Sequence, residues 1–260
     1  MAILEFNKEE AEKLLEVYVT SDVVAQRIEF LEAINLDKGE RVLDVGTGPG
    51  FLAQAIAETV GTSGSVCGVD ISESLLDVAR SQNKDTKHIE FVYGDASHLP
   101  YPDEDFDSVV CTQVLEYVPD VDAALADIYR VLRKGGKIAL LDTDWDSLVW
   151  HSSDRLMMSR ILTAWEAHAS NPFLPRTLAG RMKRLGFQIE LQKIIPIYNP
   201  DFKPDSYSNR LIDLMIPFVL EHGNITKQEA ESWAVELRER GQKGNYFFSL
   251  NRYLFLARKI

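Results

Sequence analysis

The chain has 260 residues, 45% of them hydrophobic, and carries 40 acidic residues against 28 Lys and Arg, for a formal net charge of −12 and a pI near 4.9. Length and composition fit one soluble α/β domain with embellishments and a sizeable core. The acidity argues against nucleic acid or an anionic membrane as the main partner, because no phosphate-neutralising excess exists.

In chain order, Met1–Glu10 is too acidic and broken for a signal peptide, and no apolar run approaches the ~20 residues of a membrane span. Residues 8–35 read as two helices with a break near Thr20-Ser21-Asp22, where Ser21 or Asp22 can act as N-cap. The run Arg41-Val-Leu-Asp-Val-Gly-Thr-Gly-Pro-Gly50 then reads as a short buried strand closed by a glycine turn, with a helical pattern from Phe51. Alternate glycines let a ligand lie against backbone. The spacing is Gly-x-Gly-x-Gly rather than the Gly-x-Gly-x-x-Gly of dinucleotide sites. Asp44, two residues before Gly46, suits an ammonium group better than a pyrophosphate, so S-adenosylmethionine (SAM) fits and an NAD(P)-dependent oxidoreductase is the disfavoured alternative.

Two further strands end in acids. Ser65–Asp70 closes on Asp70, 20 residues after Gly50, near the offset of a ribose-binding carboxylate. His88–Asp95 closes on Gly-Asp-Ala, where Asp95 can accept from an adenine amino group and the Ala96 amide can donate to a ring nitrogen. Strands near 41–45, 65–69, 89–93, 107–112 and 137–142 alternate with helices near 50–60, 73–84 and 121–133, which implies a parallel sheet with right-handed crossovers. Gly135-Gly136 is expected to end the last of these helices. Residues 152–186 look helical around a break at Pro172 and Pro175. Gly186–Ile195 reads as a sixth strand, 207–221 and 226–240 as helices, and Tyr246–Arg258 as a final strand. Cys67 and Cys111 fall inside expected strands and read as buried thiols of a reducing cytosol, not as a disulfide or a metal site.

The motifs Val42-Leu-Asp-Val-Gly-Thr-Gly-Pro-Gly-Phe-Leu52, Gly68-Val-Asp-Ile-Ser72, Gly94-Asp-Ala-Ser-His-Leu-Pro100, Phe106-Asp-Ser-Val-Val110, Val114–Asp120 and Arg130–Leu140 resemble the class I SAM-dependent methyltransferases. The likeness is greatest to the small-molecule branch that includes the ubiquinone/menaquinone-biosynthesis C-methyltransferases, and it covers roughly residues 15–145. Where that family often has Leu-Glu-His, this chain has Leu115-Glu-Tyr117. The resemblance implies a Rossmann-like seven-stranded sheet with helices on both faces, an N-terminal helical lid over residues 1–35, a cofactor-binding core over 40–145, and acceptor-side elements over 146–260 with a helical insertion before the last strand. That strand is expected antiparallel between the fifth and sixth.

The implied activity is methyl transfer from SAM to a small organic molecule by direct displacement in the cytoplasm, with a catalytically silent SAM-binding module as the other alternative. Expected cofactor contacts are Tyr18 and Arg27 from the lid, Asp44, Gly46, Thr47, Gly48 and Gly50 from the turn, Asp70 with Ile71, Asp95 with Ala96, and Gln113 after the fourth strand. Tyr117, Trp145, Trp150, His168 and Tyr207 are expected against the acceptor, with the Pro196–Pro217 segment and its Phe202 as a cover. Asp144 and His151 are the candidate proton acceptors. No metal is expected. The excess of acids makes a highly anionic acceptor a poor fit.

Overall fold

Strand β1 (Arg41–Val45) is buried on both faces, as its near-continuous apolar run requires. Leu43 and Val45 join one hydrophobic layer, whereas Val42 joins the layer on the other face. The computed structural model describes residues 8–260, with side chains described from residue 13. Residues 1–7 of the expected lid, and most of the stretch weighed as a signal peptide, lie outside the described residues.

The other strands are β2 (Ser65–Asp70), β3 (Ile89–Tyr93), β4 (Phe106–Thr112), β5 (Leu132–Thr143), β6 (Val149–Trp150), β7 (Phe187–Asn199) and β8 (Phe248–Lys259). The sheet runs β3-β2-β1-β4-β5-β8, parallel as far as β5, and β8 lies antiparallel between β5 and β7. The two-residue β6 is an eighth strand beyond the seven expected; it pairs Val149 with Ser249.

The helices are α1 (Lys8–Tyr18), α2 (Ser21–Ile34), α3 (Phe51–Val60), α4 (Glu73–Gln82), α5 (Val121–Val131), α6 (Arg155–Trp165), α7 (Pro175–Leu185), α8 (Tyr207–His222) and α9 (Lys227–Gln242). On one face of the sheet, Phe30 and Ile34 of α2 pack with Ile56 of α3; on the other, Leu125 and Ile128 of α5 pack with Leu178 of α7. A third cluster joins α6, α8, α9 and the turn after β5 to Trp150 of β6, Ile197 of β7, and Phe248 and Leu250 of β8.

Three local expectations change. Helix α5 ends at Val131, before Gly135-Gly136, which lie inside β5; a Cβ at Gly136 would come 2.8 Å from the Asp107 carbonyl oxygen, so close strand approach, not helix termination, requires that glycine. Strand β7 runs on through Pro196 to Asn199, tolerable on an edge strand whose N–H need not pair. At the α1–α2 break, Thr20 is the N-cap residue, and Asp22 instead accepts from the Tyr207 amide at 2.9 Å and the Asn199 amide group at 2.8 Å. That carboxylate ties the start of α2 to the start of α8.

Candidate active site

The glycine turn is held by its neighbours. Gly46 and Thr47 donate their amides to the Val69 carbonyl at 2.7 and 3.0 Å, which joins the ends of β1 and β2. Gly46 has φ +69°, and a Cβ there would come 2.1 Å from a Val114 methyl. Only glycine satisfies both the angle and the space. Gly48 donates to Asp70 Oδ2 at 2.8 Å and Ser72 donates to Asp70 Oδ1 at 2.9 Å. Each carboxylate oxygen thus keeps a lone pair for a further donor.

The strand ends open into a single cavity of about 490 Å³. Asp44, Gly46, Thr47, Gly48, Asp70 and Ile71 line one end, and Asp95 and Ala96 continue it. Gly50 does not line the cavity. It is the left-handed N-cap of α3 and faces Phe91 and Ala79. Tyr18 and Arg27 close this end from above: Arg27 Nη2 donates to the Tyr18 carbonyl at 2.8 Å, and its guanidinium stands 5.2 Å from the Phe51 ring centroid. Burial pushes the Tyr18 phenol up to about 12, with the Asp70 charge adding to it, so the hydroxyl stays protonated.

Gln113 marks the middle. It sits at φ +57° just after β4, its amide donating to the Leu141 carbonyl at 2.6 Å, and its side chain reaches Gln26 at 3.4 Å. Such a backbone is strained for a non-glycine residue and is typical of functional sites. Beneath it lie two buried carboxyls. Glu116 Oε2 accepts from the Thr143 amide at 3.1 Å, and Asp142 Oδ1 accepts from the Glu116 amide at 3.2 Å. Burial raises both, and each one's charge would hinder ionisation of the other.

Aromatic rings form the far end. Tyr117, Trp145, His168 and Tyr207 line it, joined by Trp165 and Phe218. The His168 ring stacks on Trp165 at 4.1 Å and meets Trp145 edge-on at 4.5 Å. His168 Nδ1 donates to the Trp165 carbonyl, which can only accept, so Nε2 carries no proton. Nε2 is buried without a partner, and burial lowers the ring to about 4. His168 is therefore a neutral wall residue.

The structure does not bring the candidate proton acceptors here. Asp144 receives Arg176 at 2.8 and 2.9 Å outside the cavity. His151 is exposed and pairs with Arg240. Trp150 packs on Trp233 and Phe248 and donates to the Tyr246 hydroxyl at 3.1 Å, away from the cavity. Phe202 packs on Tyr246 instead of covering the site; α8 covers it, through Leu211, Leu214 and Pro217. Sequence reasoning missed Gln26, Trp165, Phe218 and Arg252. For Arg252 a signal existed: Phe248, Leu250, Arg252 and Leu254 share the buried side of β8, a charge in an apolar row.

A SAM-type ligand fits the cofactor end. Asp70 offers lone pairs for ribose hydroxyls, Asp44 offers a carboxyl for an ammonium, and Gly46 and Gly48 bring no Cβ atom to the cavity lining. A pyrophosphate is the poorer match, since the turn is flanked by two acids, Asp44 and Asp70, and an anion there would have to hold both in their protonated forms.

Comparison with known proteins agrees. Residues 43–140 match the family model described as Methyltransferase domain. Demethylmenaquinone methyltransferase of Lactobacillus johnsonii is 42% identical over 121 residues, covering 45% of this chain and 49% of that protein. The enzyme of the same name from Anoxybacillus flavithermus is 38% identical over 128 residues, covering 48% and 54%. The chain spans about half the length of the curated relatives it matches. Among solved structures, a candidate methyltransferase of Bacillus halodurans superposes with a TM-score of 0.65 at 23% identity, covering 90% of this chain and 99% of that one. Phosphoethanolamine N-methyltransferase 2 of Haemonchus contortus, solved with SAM, gives 0.63 at 19% identity, covering 97% and 57%. At these identities the structural likeness is one of fold. The fold and the motifs of residues 43–140 are similar to those of class I SAM-dependent methyltransferases. The two curated relatives just named are both demethylmenaquinone methyltransferases.

Proposed function

We propose that this protein is a cytoplasmic enzyme that transfers the methyl group of SAM to a small organic acceptor, and not to nucleic acid. The observation that carries the reading is continuity: the acids at the ends of β1, β2 and β3 and the aromatic wall beyond β5 share one cavity. SAM supplies an electrophilic methyl group on a good, neutral leaving group, so the protein's work is alignment and exclusion of water.

The residues divide along the cavity. Asp70 and Asp95 orient the nucleoside end, with Ile71 and Ala96 against it. Asp44, Arg27, Tyr18 and Gln113 orient the amino-acid end, and the Asp70 bonds to Gly48 and Ser72 keep the turn and the second strand in register. Residues 1–35 act as the lid, 40–145 as the cofactor-binding core, and 146–260 supply the acceptor side. Tyr117, Trp145, His168 and Tyr207 hold a largely apolar acceptor. A flat aromatic ring system, such as that of the quinone in the relatives' names, suits such a wall. Neither Asp144 nor His151 faces the cavity, so neither serves as the base, and the displacement itself rests on alignment.

Calorimetry tests the proposal. SAM and S-adenosylhomocysteine should bind, and NAD should not. Tight NAD binding with no SAM binding would sink it.

A further inference from the structure

The cavity contains a buried cation for which the cofactor end has no evident need. Arg252 on β8 is 2% exposed, and what surface it keeps opens into the cavity. Nη1 donates to Gln26 Oε1, and the guanidinium carbon stands 4.9 Å from the Tyr207 ring centroid. Nε reaches no acceptor, and among the described residues no carboxylate oxygen lies within 4.0 Å of the group. A desolvated guanidinium without a counter-anion is costly, and a bound oxyanion relieves that cost.

The two buried carboxyls nearby do not fill the role. The Arg252 charge favours their ionised forms, but burial outweighs it and holds Glu116 and Asp142 toward neutral; each already accepts a backbone amide, and neither comes within ion-pair distance of the guanidinium. The phenols of Tyr117 and Tyr207 stand in the same part of the cavity, and burial keeps both protonated, so both can donate. One guanidinium and two phenols form an oxyanion-binding set.

Arg27 already supplies a cation at the cofactor end, over Phe51 and against the Tyr18 carbonyl. Arg252 pairs across the sheet with Thr143, the last residue of β5, where the aromatic wall begins. We infer that Arg252, with Tyr207 and Tyr117, binds an oxyanion carried by the methyl acceptor, which is then an aromatic or apolar molecule bearing a single carboxylate. This rests on the methyltransferase reading. It also refines what the net charge implied: the overall −12 disfavours highly anionic acceptors, but a local buried arginine selects a monoanion.

The test uses benzoate and benzyl alcohol as probes, titrated into the full chain with and without S-adenosylhomocysteine and followed by tryptophan fluorescence. Wild type should bind benzoate at least about tenfold tighter than benzyl alcohol. Arg252→Met should lose that preference, Arg252→Lys should keep part of it, and both should bind S-adenosylhomocysteine as wild type does. Equal binding of the two probes by wild type overturns the inference with no variant needed, so a variant that fails to fold cannot shelter it. An unchanged preference in Arg252→Met also overturns it. So does a tenfold loss of S-adenosylhomocysteine affinity in Arg252→Met with 5′-methylthioadenosine binding intact, which assigns the arginine to the cofactor's own carboxylate. If wild type binds no S-adenosylhomocysteine, the methyltransferase reading fails, while the benzoate preference still reports on Arg252.

Discussion

The Thr47 hydroxyl donates to Asp44 Oδ2 at 2.8 Å, and this bond steadies a carboxyl that burial pushes up to about 7. Asp70 adds to the rise, while Thr47 and Arg27 oppose it. An ammonium beside Asp44 favours its ionised form. Below about pH 7 the free carboxyl is protonated, so binding an ammonium must release a proton. Affinity for S-adenosylhomocysteine should climb by up to about tenfold per pH unit below pH 7 and level off above it. Asp44→Asn should bind more weakly and lose the slope. Calorimetry in buffers of different ionisation heat reads the proton directly, and a flat wild-type profile would remove the ammonium contact.

Gly46→Ala should be severe. The left-handed backbone costs a residue with a Cβ about 1–2 kcal/mol, and the 2.1 Å approach to Val114 adds a steric penalty. Urea denaturation should show a loss of at least about 2 kcal/mol, with SAM binding abolished. Gly46→Ala with Val114→Ala should recover only the steric part. If the single variant is as stable as wild type, the turn is more plastic than its contacts imply.

The cofactor half was legible because its signals are local. Strand, acid and glycine follow one another in β1, and the acids that end β2 and β3 repeat the pattern, so Asp44, Asp70 and Asp95 could be placed on a common edge before any coordinates. The acceptor half depends on which side of an irregular segment faces inward. Asp144 and Trp145 are adjacent, yet Trp145 lines the cavity while Asp144 turns outward to Arg176. Trp150 and His151 are carried away by the short pairing of β6 with β8. His168, on a single turn of 3₁₀ helix, was legible from its spacing three residues after Trp165, the ring on which it stacks.

The outward position of Asp144 has its own test. Asp144→Asn should lower the melting temperature, since it weakens a two-point contact with Arg176 at one end of the acceptor segment. His151→Ala should change little, because its partner Arg240 also pairs with Glu236 at 3.2 Å. Neither should alter S-adenosylhomocysteine affinity or, with any substrate found, turnover. A large fall in turnover at unchanged stability in either variant would restore a catalytic role to that residue.

His168 provides a stability signature in acid. Burial lowers the folded ring to about 4, against the ordinary histidine value of 6.5. Between those values the unfolded chain holds a proton on this residue and the folded chain does not, so stability must fall as pH drops from about 6.5 to about 4 and stop falling below that. The full window corresponds to roughly 3 kcal/mol. Asp44, Glu116 and Asp142 act in the opposite sense: their raised folded values add stability at low pH that is lost as pH rises through about 7 to 8. The wild-type curve alone therefore mixes both effects. His168→Asn can retain the hydrogen bond to the Trp165 carbonyl but cannot titrate. Subtracting its urea-denaturation curve from that of wild type across pH 4–7 cancels the carboxyls and should leave the histidine slope. A difference that stays constant with pH would mean that the His168 ring takes up its proton in the folded protein and leaves the stack to do so.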